Sequence, residues 1–240
     1  KDAMDSPVAA TLLFGFVLGM EHALDADHVV AVSTLVSDSR RLSRSALIGI
    51  SWGIGHTFTL LVAGVLVLRF KVHIPASVAL SMELCVGVVL VVLGGQILWQ
   101  YRQKRVHAHI HSHGSEAHVH FHSHASGGDH DHDHDRPSLG RPLLVGMIHG
   151  LAGSAAVMLV VLTTVHSVAQ GLLFISLFGV GSTCGMLLMS TVIALPFACT
   201  AGRLQQFSEA ARIAAGVVSI AVGLAIMMKV GMMQGLFASL

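Results

Sequence analysis

The chain has 240 residues, 53% of them hydrophobic and 11% charged, with a formal net charge of +1 at pH 7. A soluble domain carries about 25% charged residues, so this composition excludes an ordinary soluble fold and describes an integral membrane protein. The near-zero net charge also removes any electrostatic case for nucleic acid as a partner.

Six stretches reach the roughly 20 apolar residues that a bilayer crossing needs. They are 7–36, 46–68, 76–99, 142–165, 168–197 and 211–235. The first and fifth are over-long, which predicts tilt, a break or a bend in each, and Pro196 predicts the end of the fifth. Arg40, Arg41, Arg44, Arg102, Lys104, Arg105, Arg136, Arg141 and Arg203 follow spans one, three and five, whereas Lys1, Arg69 and Lys71 lie on the other side. The positive-inside rule then places both termini outside and the long connection after the third span in the cytoplasm. Cys85, Cys184 and Cys199 fall in apolar stretches without CxxC spacing and are expected to be buried packing thiols.

The first span holds the most concentrated chemistry. Glu21, His22, Asp25, Asp27 and His28 set five ionisable groups within eight residues, between apolar flanks. Such groups cost several kcal/mol in hydrocarbon and are kept where they face a partner, an ion or water. Two imidazoles and two or three carboxylates suit a divalent transition metal. On an ideal helix His22 and Asp25 share a face, as do Asp25 and His28, but His22 and His28 stand about 120° apart. A regular helix cannot turn them all to one ion. Either the chain breaks or loosens between Glu21 and His28, or a subset ligates while the others orient the ligands. Interhelical hydrogen bonding without metal is the plainer alternative, weaker for five groups than for one.

His56 lies mid-span in Gly53-Ile54-Gly55-His56-Thr57 and is the next expected ligand. His149 is a sixth candidate, with a hydrogen-bonded interior role as the equal alternative. Glu83, near the start of the third span, is read as structural or as part of an access route, and Lys229 is expected to snorkel outward.

The two halves are related. Gly19-Met20-x-His22-x-Leu24 aligns with Gly146-Met147-x-His149-x-Leu151 at an offset of 127. Gly53-x-Gly55-His56-Thr57 aligns with Gly179-x-Gly181-Ser182-Thr183 at 126, and Gly87-Val88-Val89 with Gly216-Val217-Val218 at 129. Asp25, Asp27 and His28 have Ala152, Ser154 and Ala155 as counterparts, so the metal motif belongs to the first half. A duplicated unit of three spans inverts in the membrane, an arrangement that transporters use with the binding site near the midplane. The expected fold is therefore an all-α membrane protein of six helices in a 3+3 inverted repeat. Residues 1–100 form the first repeat, 101–141 a disordered loop and 142–240 the second repeat.

The loop is a histidine tract. His107, His109, His111, His113, His118, His120, His122, His124, His130, His132 and His134 account for eleven of the seventeen histidines. Such composition lacks the apolar content for a core and suits accessory metal binding, with an inert low-complexity linker as the alternative. The sequence has no P-loop, no G-x-S-x-G and no HExxH, so no enzyme activity is expected.

These residues resemble a known family. His22-Ala-Leu-Asp25-Ala-Asp27-His28 resembles the HX4DH signature of the nickel/cobalt transporter (NiCoT) family, and Gly55-His56-Thr57 is similar to its G-H-[ST] motif. Gly146-Met147-Ile148-His149-Gly150-Leu151-Ala152-Gly153-Ser154 resembles a segment of the six-span, urease-accessory-like nickel permeases. The resemblance implies plasma-membrane uptake of Ni²⁺, with Co²⁺ second, as cargo rather than cofactor, and requires the first-motif residues and His56. It implies a divalent ion, the lipid bilayer and cytoplasmic metallochaperones of nickel enzymes as partners. This chain lacks the acidic D-T-[AT]-[TE] motif of the longer, eight-span members. Six spans with a histidine loop also look like nickel/cobalt efflux proteins, though those favour His-Ala-Leu-Glu-Pro-Gly-His. Export therefore stands as one alternative. A non-metal transporter or membrane scaffold with an incidentally metal-binding loop is another.

Overall fold

The computed structural model describes residues 2–37, 39, 41–72, 74–104, 109–113, 116–120, 139–164, 167–199 and 205–233. Its elements are α1 (Asp2–His22), α2 (Ala26–Val36), α3 (Leu42–Leu68), α4 (Ala76–Lys104), β1 (His109–His113), β2 (Glu116–His120), α5 (Gly140–Thr164), α6 (Val168–Cys199) and α7 (Gln205–Met228). A π-helical segment, Lys229–Met233, continues α7. Among the described residues, helices α3, α4, α6 and α7 are long and apolar enough to cross a membrane; Ala9–His22 of α1 and α2 qualify together, bent by 58° at their break, which makes up to five if that pair is one span. The protein is a multi-pass membrane protein.

The expected break in the first span lies at Ala23–Asp25, between the end of α1 and the start of α2. The fifth span is α6, unbroken from Val168 to Cys199, and its apolar stretch ends at Pro196 as expected. Only three further described residues of the helix follow the proline, which removes a backbone donor and crowds the preceding turn.

Small residues set how the helices meet. A methyl group at Gly53 would lie 2.7 Å from Thr183 Cα, and one at Gly179 would lie 2.7 Å from Thr57 Oγ1. These two contacts exchange under the 126-residue offset, so α3 and α6 cross antiparallel about equivalent points. Thr57 Oγ1 donates to the Gly179 carbonyl at 3.1 Å across that crossing. Gly87 against Gly223 and Gly94 against Gly216 repeat the pattern between α4 and α7, where Ser219 Oγ donates to the Leu90 carbonyl at 2.8 Å. Backbones this close leave no room for larger side chains, which is how membrane helices gain packing without a hydrophobic driving force.

The core has two parts. Ala31, Val32, Val36, Ile48, Trp52, Leu90, Val145 and Met186 belong to one buried cluster, which also includes Ala23 in the α1–α2 break. Leu60, Val157, Val161, Phe174 and Phe178 pack together in a second. Cys85 and Cys184 are exposed, which corrects their expected burial. On a span, the outward face meets lipid, which accommodates a thiol as readily as a core does.

Within the histidine tract the described residues form an antiparallel hairpin that pairs His109 with His120, His111 with His118 and His113 with Glu116. His107, His122, His124, His130, His132 and His134 lie outside the described residues.

Candidate metal site

Three backbone features bring the site together. The α1–α2 break releases His22 and His28 from the 120° separation of a straight helix. Glycines on both sides of His56 in the α3–α5 contact let those helices close up: a methyl at Gly150 would lie 2.9 Å from His56 Cα. His149 reaches the same place from α5. The ring centroids of His22 and His28 are 4.7 Å apart, those of His22 and His56 5.2 Å, and those of His28 and His56 5.4 Å. His149 stands 5.3 Å from His28. All six residues expected from the sequence thus converge, His28, His56 and His149 fully or almost fully buried and Asp25 and Asp27 more exposed.

The hydrogen bonds assign the ring nitrogens. His22 Nδ1 lies 2.7 Å from Asp25 Oδ2, His28 Nδ1 3.2 Å from Asp27 Oδ1 and His149 Nδ1 3.0 Å from the Val145 carbonyl. Carboxylate and carbonyl oxygens only accept, so each neutral ring carries its proton on Nδ1 and a lone pair on Nε2. Among the described residues, the Nε2 atoms of His22, His28 and His149 have no hydrogen-bond partner, nor has either nitrogen of His56. A buried polar group left without a partner costs about 1–3 kcal/mol, so several at one point describe a place for something that binds lone pairs.

Two overlapping groups are close enough to hold a cation. One nitrogen each from His22, His28 and His56 lie within 4.8 Å of one another, as do ligand atoms of Asp25, Asp27 and His28. Nitrogens on one ion stand about 3–3.5 Å apart when each bond is about 2 Å. The three rings therefore close on an ion by small side-chain movements. In this arrangement Asp25 and Asp27 hold the far side of the ligand rings, the carboxylate–histidine–metal pattern that fixes tautomer and ring orientation. Asp27 also faces His149, with Oδ2 4.0 Å from Nε2.

Sequence reasoning missed two aromatic neighbours. Trp52, fully buried, lies 4.8 Å from the His149 ring, and Phe178 lies 5.4 Å from His22. These contacts exchange under the same offsets that relate His22 to His149. The signal was present as an aromatic residue before each Gly-x-Gly, in Trp52-Gly53-Ile54-Gly55 and Phe178-Gly179-Val180-Gly181.

A cavity of about 620 Å³ leads to the site. Glu21, Asp25, Asp27 and Glu83 line it together with His22, His28 and His149, and no lysine or arginine among the described residues does. Four carboxylates facing one space favour cations over anions. Glu83 pairs with Lys229 at 3.2 Å, a partner that the repeat offset (which aligns Glu83 with Arg212) does not give and that snorkelling did not anticipate.

The sequence profile described as cytochrome c biogenesis protein transmembrane region matches residues 28–225. A urease accessory protein, UreH, of Bacillus sp. (strain TB-90) is 39% identical over 226 residues, which is 94% of each chain. No solved structure matches. The chain therefore belongs to the family of the cytochrome c biogenesis protein transmembrane region, with a urease accessory protein among its relatives.

Proposed function

We propose that the protein is a carrier for divalent transition-metal ions, nickel first and cobalt second, that moves them into the cytoplasm without catalytic chemistry. The observation that carries the reading is the convergence of His22, His28 and His56, each with a ring nitrogen that has no hydrogen-bond partner among the described residues. Imidazole suits nickel, cobalt, copper and zinc, whereas sites of oxygen ligands alone suit magnesium and calcium. His149 joins the set from the second half. The urease-accessory relative agrees with the nickel-permease branch of the nickel/cobalt transporters that the signature residues resemble.

In this reading the chain makes six spans in the plasma membrane, with α5 the sixth, as a 3+3 inverted repeat with both termini outside. The exchanged glycine contacts between α3 and α6, and between α4 and α7, support the repeat. The basic loops support the orientation, which puts the histidine tract in the cytoplasm. An inside-negative potential favours inward movement of a cation by about 2.3 kcal/mol per charge per 100 mV, so uptake of a divalent ion runs without ATP. Nickel metallochaperones would receive the ion on the inner side.

Trp52 gives a direct test, since it lies beside the site and Trp99 is the other tryptophan. In a Trp99→Phe background, adding Ni²⁺ should quench the emission of Trp52 saturably. His28→Ala should abolish that quenching, and unchanged quenching in His28→Ala would refute the site.

A further inference from the structure

We propose that Glu83 is the carboxylate that first receives the cation at the mouth of the cavity, and that Lys229 is a resident counter-ion that the cation displaces there. This rests on the carrier reading above. Glu83 stands on α4 and Lys229 opens the π-helical segment at the end of α7, with Nζ 3.2 Å from Oε1. Glu83 lines the same cavity as His22, His28 and His149. The carboxylate and the buried Nε2 atoms of His28 and His149, which have no hydrogen-bond partner among the described residues, therefore share one continuous space. Lys229 does not line that space and is largely exposed, and its ammonium meets the cavity at Glu83.

The chemistry of the pair suits displacement. An ion pair this exposed stabilises a fold little, so giving it up for an arriving cation is inexpensive. While it stands, it cancels one of the four carboxylate charges that attract cations to the cavity. A divalent ion that takes the place of the ammonium adds a charge at Glu83, whereas a monovalent ion only exchanges like for like. The lysine therefore biases admission toward divalent ions. Short π-helical segments widen a helical turn and recur at functional sites, and here one begins at the displaced residue.

Nickel uptake by proteoliposomes containing the full chain tests the pair, with Ni²⁺ alone as the probe and KM as the readout. Lys229→Gln should lower KM by about threefold at low ionic strength and Glu83→Gln should raise it by about threefold, the scale of one charge at a steering surface. Lys229→Arg should match the wild type, and both shifts should shrink as salt is raised. A tie that merely joins α4 to α7 would shift KM in the same direction in both variants, or without dependence on salt, and either result overturns the proposal. Since Lys229 lines no part of the cavity, its variants decide the question even if Glu83→Gln fails to fold. Wild-type uptake with no such shifts removes this inference alone; no wild-type uptake removes the carrier reading with it.

Discussion

At the scale of single residues, the roles divide between nitrogen donors and the carboxylates that hold them. Among the described residues, His22, His28 and His56 each present a nitrogen without a hydrogen-bond partner, while Asp25 and Asp27 accept hydrogen bonds from the Nδ1–H groups of His22 and His28. Asp27→Asn keeps an acceptor and loses the charge, and should weaken nickel binding by about 10–100-fold. His28→Ala removes both the ligand and the reason for Asp27 to point inward, and should cost more than Asp27→Asn. Titration by Trp52 emission in the two variants ranks them; equal or reversed losses would make Asp27 the ligand. Bound imidazoles must be neutral, so affinity should fall as the pH is lowered from neutral into the acid range, because protons compete for the same lone pairs. A titration midpoint that stays constant over that range would count against nitrogen ligation.

At the scale of elements, the α1–α2 break and the small-residue crossings make the site. The break was legible because ionisable groups that diverge on an ideal helix have no common target unless the helix yields. The crossings were legible as repeated glycines at near-constant offsets. Other features were not. Whether Asp25 ligates an ion or orients His22 depends on a side-chain rotation that spacing does not specify. The Glu83–Lys229 pair joins residues 146 positions apart, outside any local pattern, and Trp52 reads as plain core until its neighbour His149 is known. Gly53→Leu should force α3 off Thr183 of α6, with an overpacking cost of about 1–3 kcal/mol or more. Thermal unfolding of the purified protein measures it, and an unchanged midpoint would mean that α3 and α6 do not meet at Gly53.

At the scale of the whole molecule, an acidic cavity leads to the histidines, and a buried apolar cluster that includes Trp52 and Met186 packs near them. In the proposed carrier this cavity is the path of the cation. The histidine tract lies outside this path in sequence, between the two halves. Deleting 107–135 should leave transport intact and alter only affinity or regulation. The measurement that bears most directly on the account is nickel accumulation by cells expressing the wild type, the 107–135 deletion or His28→Ala at matched levels. The account predicts accumulation above background in the first two and none in the third. Lower nickel in wild-type cells than in empty cells, or undiminished accumulation with His28→Ala, would contradict it.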